Sequence, residues 1–303
     1  MLSLDDLRFF RTVAESRSLG SAARALDVTA PAVSQRLAAI ERRMNARLVE
    51  RGRAGLRLTD EGELIALSGR RILAELDELA SAVAARRDEL TGHLRVAAPL
   101  GFGRAYVAPI VSAFHAKHPG TLIDLTLSDR LPEAGTAVDL AVYIGEVRQS
   151  ATVATKIAPN KRIVCASPSY LAKHGVPTAA GDLAAHSCIS LRENDEDTTL
   201  WRFVRENKTL SVRIKPVLTS NDGEVIRQWA LDGAGIIVRS EWHVAADIRA
   251  GALVPLLRGY TLPSANVVAL FGPSRTRSAR TKKFLENLRA SLNPAPWRQH
   301  QSA

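Results

Sequence analysis

Apolar residues at the start of the chain recur with the helical period of about 3.6 residues. The first stripe follows a serine cap at Ser3 and consists of Leu7, Phe10, Val13 and Ala14. A second short helix is predicted over 19–26, and a third from Thr29 to about Asn45. Thr29 is the expected cap of the third helix, whose first turn tolerates Pro31. The pattern therefore predicts a small all-helical N-terminal unit.

The predicted third helix has two different faces. Its apolar face is formed by Val33, Leu37, Ile40 and Met44. Its opposite face carries small, polar and basic side chains: Pro31, Ser34, Gln35, Ala38 and Arg42. Because the major groove of DNA admits an α-helix, a face of this kind is suited to entering that groove.

A glycine-rich basic segment follows the third helix. Between 48 and 59, Gly52 and Gly55 stand among three arginines: Arg51, Arg53 and Arg57. Glycines between short apolar runs are typical of tight turns, so we predict a two-stranded wing with a basic tip.

A long helix is predicted from Thr59 to about Glu89. Its apolar positions keep an a/d rhythm, interrupted at Gly69 and Arg86: Ile65, Ile72, Leu76, Leu79 and Val83. So narrow a stripe between two domains predicts pairing with the same helix of a second subunit. The alternative is that the stripe packs on the chain's own C-terminal domain.

From Gly92 onward, short apolar runs alternate with helix-length segments, which predicts an α/β domain. The predicted strands are 94–98, 122–127, 139–144, 163–166, 189–191, 236–238 and 267–271. The predicted helices are 106–118, 222–231, 242–250 and 276–292. The last residues, 293–303, are proline-containing and polar, and we expect a flexible tail.

Charge adds a class of partner to this picture. The 303 residues carry 41 basic and 31 acidic side chains, a net charge of +10, which favours an anionic partner such as nucleic acid or a membrane surface. Residues 1–58 alone hold eleven arginines against six acids. The chain has no secretion-type start and no apolar segment long enough for a bilayer, so we expect a soluble, cytoplasmic protein without membrane contact.

Residues that could carry chemistry are sparse. Cys165 and Cys188 lack zinc-type spacing and are expected in the core. His115 and His118 share a helix face, but no carboxylate or cysteine completes a metal site, so a surface role is favoured. No nucleotide loop or nucleophile elbow is present, and we expect neither enzymatic activity nor a cofactor. A solute-binding or enzymatic α/β protein and a nonspecific architectural DNA binder are the alternatives.

The chain resembles the LysR-type transcriptional regulator family over essentially its whole length. The N-terminal signature lies at 7–10, 21–26, 31–37, 40–41, 48–51 and 58–62. The C-terminal part is similar to a subgroup of that family at 98–104, 128–130, 139–141, 158–162 and 166–168. Many matches at fixed offsets make this resemblance more specific than a lone helix-turn-helix pattern.

The resemblance implies an α/β protein with an N-terminal all-α winged helix-turn-helix and a C-terminal two-subdomain, periplasmic-binding-protein-like α/β fold. The expected divisions are a DNA-binding domain at 1–58, a linker or dimerisation helix at 59–90 and an effector-binding domain at 91–292. Subdomain I would span 92–161 and 266–292, and subdomain II 162–265. An effector would bind in the cleft between the subdomains.

Three positions depart from the family pattern. Ala30 stands where relatives usually have a polar side chain at the start of the recognition helix, so we expect one base contact to be missing. Val49 replaces the usual phenylalanine, a core change with little consequence for DNA choice. The segment 131–138 contains Pro132 and Gly135 and is poor in apolar residues where relatives have a helix, so we expect that wall of the effector cleft to differ from theirs.

The recognition helix and wing supply the candidate DNA contacts. Ser34 and Gln35 are the predicted base contacts. The predicted phosphate or flanking contacts are Thr29, Pro31, Arg36 and Arg42, and the wing residues Arg51 and Arg53 would reach the backbone or the adjacent minor groove. The alternative for any single arginine is a solvated surface role or an ion pair with Glu41 or Glu50.

Turns at predicted strand ends supply the candidate effector site, because ligands of open α/β sheets bind at such ends. The candidate residues are Leu100, Gly101, Phe102, Gly103, Arg104, Ser128, Arg130, Tyr143, Gly145, Asn221 and Asp222. Arg104 and Arg130 would bind a carboxylate, or alternatively pair with Asp129 or other surface acids. Trp201 and Phe203 are favoured as core residues over a ligand stack.

Together these features predict a regulator with four kinds of partner. These are double-stranded DNA at a roughly palindromic operator, a small organic acid as effector, further copies of the chain in a dimer or tetramer, and RNA polymerase, which the resemblance implies. Effector and operator binding would be coupled through a population shift.

Overall fold

The structure is a computed structural model that describes residues 2–52, 55–85, 90–128, 130, 138–145, 153–192, 198–206, 208–271 and 278–299. The chain divides into two compact units, Met1–Asp88 and Glu89–Ala303. Each unit has its own hydrophobic core.

Three helices and a hairpin form the first unit's core. The helices are α1 Leu4–Ala14, α2 Leu19–Ala25 and α3 Ala30–Met44. Ser3 and Ser18 close reciprocal capping boxes on α1 and α2, and Thr29 Oγ1 accepts the N–H of Ala32 at 3.4 Å. The apolar stripes of these helices pack together around Phe10, Val13, Val33, Leu37 and Ile40. The predicted helices and caps are therefore confirmed.

The predicted apolar face of α3 is wrong at its last position. Val33, Leu37 and Ile40 are buried, but Met44 is 38% exposed. The reason is local: the helix ends at Met44, and Asn45 follows in the left-handed conformation at φ 51°.

The predicted wing is an antiparallel hairpin of β1, Val49–Gly52, and β2, Gly55–Leu58. Gly55 has a φ of 105°, which an L side chain rarely adopts. The predicted tip residue Arg53 lies outside the described residues.

Helix α4 spans Asp60–Ala85, and the remainder of the predicted helix, 86–89, lies outside the described residues. One side of α4 packs on α1, where a β-carbon at Gly69 would lie 3.1 Å from Cδ2 of Leu7. Several apolar residues of α4 are exposed: Leu64, Leu67, Ile72, Leu79 and Val83. Three of them, Ile72, Leu79 and Val83, belong to the predicted stripe.

The second unit is built from two five-stranded sheets with helices on their faces. Its strands are β3 Gly92–Ala98, β4 Thr121–Leu127, β5 Leu140–Ile144, β6 Val153–Ala158, β7 Arg162–Ala166, β8 Cys188–Leu191, β9 Leu200–Arg205, β10 Lys208–Arg213, β11 Pro216–Ser220, β12 Ile236–Ser240, β13 Val254–Leu256 and β14 Val267–Phe271. Its helices are α5 Leu100–Phe102, a π-helical turn Gly103–Val107, α6 Ala108–Lys117, α7 Pro168–His174, a 3₁₀ turn Ala180–Ala185, α8 Gly223–Leu231, α9 Glu241–Arg249, α10 Ala279–Leu292 and a 3₁₀ turn Pro296–Arg298.

The first sheet has the strand order β4-β3-β5-β14-β6. Strands β4 and β5 run parallel to β3, so these three strands end at the same edge of the sheet. The second sheet has the order β11-β8-β12-β7-β13, and β11, β8 and β12 are parallel. Strands β9 and β10 form a separate antiparallel hairpin. This is the α/β architecture that the sequence predicts.

All seven predicted strands are present, but the prediction missed β6, β9, β10, β11 and β13, as well as α7. The missed strands lie at sheet edges or in the separate hairpin. In the hairpin, exposed charges such as Arg202 in β9 and Arg213 in β10 interrupt the apolar residues, so the sequence shows no continuous apolar run there.

The prediction of a flexible tail over 293–303 is wrong for the described residues up to Gln299. Trp297 is only 4% exposed and packs edge-on against Phe102 at 6.0 Å and Tyr106 at 5.3 Å between ring centroids. Arg249 donates to the carbonyl of Trp297 at 3.0 Å. Burial of the Trp297 indole therefore holds the segment against the second unit's core, despite the polar residues around it.

Candidate DNA interface and effector cleft

The N-terminal turn of α3 and its polar face are accessible in the structure. Thr29, Pro31 and Gln35 are exposed, and Ser34 is half-buried. Ser34 and Gln35 lie one turn into the helix, opposite the buried Val33 and Leu37. These four candidate DNA contacts therefore lie at the N-terminal end of α3 and on its exposed side.

Arg36 is oriented by α1. Its guanidinium donates to the carbonyl of Asp5 at 3.1 Å and lies 4.7 Å from the ring centroid of Phe9. Arg42 donates to the carbonyl of Ala38 at 3.4 Å. Each of these contacts uses part of the guanidinium's five donors, so both arginines retain donors for a phosphate.

Glu41, a proposed ion-pair partner of the arginines, accepts two backbone hydrogen bonds. Its Oε1 accepts the N–H groups of Leu48 at 2.8 Å and Val49 at 3.4 Å, at the entry to the wing. Glu41 thus helps to position the hairpin. The side chain of Arg51 and all of Arg53 lie outside the described residues.

The sequence analysis missed the pair that joins α1 to α3. Arg43 Nη2 lies 2.7 Å from Oδ2 of the buried Asp6. Burial raises the pKa of Asp6, but hydrogen bonds from Ser3 and Arg43 outweigh burial and lower that pKa overall. This pair stabilises the orientation of the recognition helix against α1.

In the second unit, the predicted effector residues lie at strand ends. Strands β3 and β4 pair in parallel up to Ala98 and Leu127, and Ser128 donates its N–H to the carbonyl of Ala98 at 3.1 Å. The turn that begins at Pro99 therefore stands next to Ser128. Arg130 is exposed and donates its N–H to Ser128 Oγ at 3.0 Å.

Arg104 and Asp222 join the two sheets' edges. Arg104 Nη2 lies 3.5 Å from Asp222 Oδ2, so the turn after β3 and the turn after β11 are brought together. Asp222 caps α8, since its Oδ1 accepts the N–H of Glu224 at 2.7 Å. Helical backbone runs without a break from Leu100 to Lys117, and Pro99 provides no side-chain cap for its first N–H groups.

Two of the predicted effector residues are core residues in this structure. Phe102 is fully buried, and its ring packs against Tyr106, Trp242 and Trp297. Gly103 is also buried, and a β-carbon there would lie 2.2 Å from Cδ2 of Leu127. The Phe102 side chain therefore lies in the core, because the helix approaches the sheet closely at this turn, and the turn would offer a ligand its backbone N–H groups.

Tyr143 and Gly145 follow the neighbouring strand. Tyr143 is half-buried against a small cluster on the sheet face opposite to Phe102, and Gly145 has a φ of 149°. Gly145 donates its N–H to the carbonyl of Asn266 at 3.3 Å. Most of the doubtful segment 131–138 lies outside the described residues.

Trp242 lies in the core behind the turn after β3, and the sequence analysis did not single it out. A β-carbon at Gly101 would lie 3.2 Å from its Cη2, and its backbone N–H donates to the buried Asn160 at 3.2 Å. Asn160 also donates to the carbonyl of Ala265 at 2.7 Å. Trp242 thus connects the turn after β3 with the segments that cross between the sheets.

A polar network lies behind the α8 cap. His243 Nδ1 accepts from Arg239 Nη2 at 3.0 Å, and its Nε2 lies 2.7 Å from Glu224 Oε2. Burial and the neighbouring Arg239 lower the pKa of His243 to about 4. The ring is therefore neutral at physiological pH and donates from Nε2 to Glu224. Arg227 donates two hydrogen bonds to Asp247, from Nε to Oδ2 and from Nη2 to Oδ1, and each is 2.6 Å long.

The remaining aromatic and thiol predictions are confirmed. Trp201 and Phe203 are buried in the core beside the second sheet. Cys165 and Cys188 are buried free thiols, and burial raises the pKa of each to about 12. Such thiols are protonated and unreactive at physiological pH.

Comparison with known proteins identifies the family. Residues 87–293 match the LysR substrate binding domain, and residues 4–63 match the bacterial regulatory helix-turn-helix protein, lysR family. The chain therefore belongs to the LysR-type transcriptional regulators. It is a DNA-binding regulator of transcription with a small-molecule-binding domain.

Curated relatives resemble the chain over nearly its full length. The HTH-type transcriptional regulator DmlR of Escherichia coli (strain K12) is 35% identical over 287 residues, covering 94% of this chain and 93% of the relative. The HTH-type transcriptional regulator PtxR of Pseudomonas aeruginosa is 33% identical over 304 residues, covering 99% and 96%. Both are regulators rather than enzymes, in agreement with the predicted class.

Solved structures give the same fold. The LysR-type transcriptional regulator CrgA from Neisseria meningitidis is 28% identical, with a TM-score of 0.59 and coverage of 96% of this chain and 99% of that one. The full-length Vibrio cholerae virulence activator AphB is 25% identical, with a TM-score of 0.60 and coverage of 95% and 98%. None of the described helices is long and apolar enough to cross a membrane.

Proposed function

We propose that this regulator acts in the cytoplasm as an oligomer that binds a roughly palindromic operator and changes its DNA complex when a small organic acid binds. Ser34 and Gln35 contact base edges, and Thr29, Pro31, Arg36 and Arg42 contact or flank phosphates, with the wing arginines Arg51 and Arg53 at the backbone. RNA polymerase is the partner through which the altered complex acts.

The exposed apolar residues of α4 support the oligomer. Leu79 is 62% exposed, and Leu64, Leu67 and Val83 are exposed as well. Apolar residues that recur along one helix favour helix pairing between subunits, because pairing removes them from water. A pair of recognition helices related by two-fold symmetry then matches a palindromic site.

The observation that carries the effector proposal is the position of Arg104. Its guanidinium stands at the end of the turn after β3, 3.5 Å from Asp222 on the other sheet's edge. A guanidinium binds a carboxylate with two parallel hydrogen bonds, and the helix that begins at Leu100 adds a positive end. An acid at Arg104 would bind where the edges of the two sheets meet and so bias their arrangement.

Footprinting tests this function. The purified protein is bound to DNA upstream of its own gene, with and without a panel of small organic acids. We expect protection of two separated half-sites and a changed pattern with one acid. Binding that ignores sequence would instead support the architectural alternative.

A further inference from the structure

The carboxylate of Asp222 has two separate attachments. Its Oδ1 accepts the N–H of Glu224 at 2.7 Å, and its own N–H donates to Ser220 Oγ at 3.1 Å, so the residue is fixed as the cap of α8. Its Oδ2 lies 3.5 Å from Arg104. Asp222 therefore keeps its place whether or not Arg104 is bound.

The contact between Arg104 and Asp222 is loose compared with another pair in the same unit. Arg227 and Asp247 meet at 2.6 Å through two donors and two acceptors, and both side chains are largely buried. Charge-assisted hydrogen bonds usually measure about 2.7–2.9 Å, so the 3.5 Å contact is longer than an optimal one. The geometry of Asp222 is set by its capping role and not by Arg104.

Because both side chains are partly exposed, a ligand can replace Asp222 at Arg104 at little cost. The side chain of Arg104 is 55% exposed and that of Asp222 is 30% exposed. Breaking an exposed pair costs little, because water solvates both charges once they separate. A ligand carboxylate that approaches Arg104 with two oxygens forms a better contact than the single oxygen of Asp222.

We propose that Asp222 is an internal competitor of the effector: its carboxylate occupies Arg104 in the ligand-free protein, and the carboxylate of the effector displaces it. This inference rests on the proposed acid effector and adds a residue that sets its affinity and selectivity. Only an anion that outcompetes Asp222 binds, and its binding removes a link between the edges of the two sheets. Neutral analogues leave that link in place.

The test measures binding of acetate, succinate and citrate to the full-length protein by calorimetry, with succinamide as the uncharged control. Asp222→Asn is the key variant, because asparagine caps a helix as well as aspartate does but carries no charge. We expect Asp222→Asn to bind the preferred acid about 5-fold tighter or more, the lower end of usual coupling between sites. That gain should disappear when Arg104→Gln is added, and succinamide should not bind better.

Asp232→Asn is the matched control. Asp232 is an exposed residue at the other end of α8, and its substitution by asparagine also removes one negative charge. A thermal melt shows whether Asp222→Asn folds. If it does not, Asp222→Ser takes its place. Unchanged or weaker binding by Asp222→Asn, or an equal gain in Asp232→Asn, would overturn the displacement while keeping the acid effector. If none of the three acids bound any of the proteins, the acid effector and the displacement would both fall.

Discussion

Gly101 leaves room for the indole of Trp242, although 141 positions separate the two residues in the chain. A β-carbon at position 101 would lie 3.2 Å from Cη2 of the indole, closer than most such contacts. Trp242 also packs edge-on against Phe102 with ring centroids 5.3 Å apart. The turn that carries Arg104 is therefore positioned by an indole from the helix α9.

This contact predicts that Gly101→Ala is destabilising. An added methyl group requires Trp242 or the turn to shift by a few tenths of an ångström, which should cost about 1 kcal/mol relative to a helical Gly→Ala change that meets no neighbour. Urea unfolding of the full-length protein measures the loss. Gly181→Ala is the matched control, because nothing lies within 4 Å of a β-carbon there. Equal stability of the two variants would contradict the close packing at Gly101.

The docked C-terminal segment predicts a large effect of Trp297→Ala. Removing a buried indole leaves a cavity beside Phe102 and Tyr106 and should cost about 3 kcal/mol or more. Thermal and urea unfolding measure it, with the exposed Gln299→Ala as control. A change within error for Trp297→Ala would mean that the segment is not docked in solution.

The proposed base contacts predict a loss of selectivity in a Ser34→Ala, Gln35→Ala double variant. Each lost base contact should reduce discrimination between operator and unrelated DNA by about 1–3 kcal/mol. Competition gel-shift assays measure the ratio of affinities. Ser112→Ala, an exposed position on α6, is the control. Unaltered operator preference in a folded double variant would rule out α3 as the specificity helix.

The exposed stripe of α4 predicts that Leu79→Glu weakens self-association. A charge in a helix-pairing face is costly because it must be desolvated on pairing. Sedimentation of the full-length protein should shift toward monomer. Val176→Glu introduces the same charge at an exposed apolar residue of the second unit and should leave the assembly intact. An unchanged oligomer in Leu79→Glu favours the alternative in which the stripe packs on its own chain.

The neutral ring of His243 predicts that the free energy of unfolding falls as the pH is lowered. Its folded pKa, about 4, lies below the ordinary 6.5, so the unfolded chain binds more protons between these values. Stability contributed by the neutral ring is full above pH 6.5 and is lost as pH falls toward 4. His243→Gln should flatten the dependence of unfolding free energy on pH between 7 and 5. The same slope in both proteins would show that the ring is not held neutral.

Local rules predicted the parts of this protein that depend on neighbouring residues. The caps at Ser3, Ser18 and Thr29 follow from side chains that accept hydrogen bonds three residues ahead. The turn after β3 follows from the end of an apolar run, and Asp222 appeared as a candidate because it stands at the start of a predicted helix. The edge strands β6, β11 and β13 were missed, and each pairs with a strand that lies far away in the chain.

The sequence by itself determined the helix-turn-helix, the wing, the alternation of strands and helices, and the family, because periodicity, caps and motifs are encoded over a few residues. Only the tertiary structure decided that Phe102 is a core residue, that Trp242 and Trp297 lie behind the cleft and that Arg36 folds over Phe9. Those contacts join segments up to 195 positions apart, and packing between such segments depends on the shape of the whole unit rather than on local pattern.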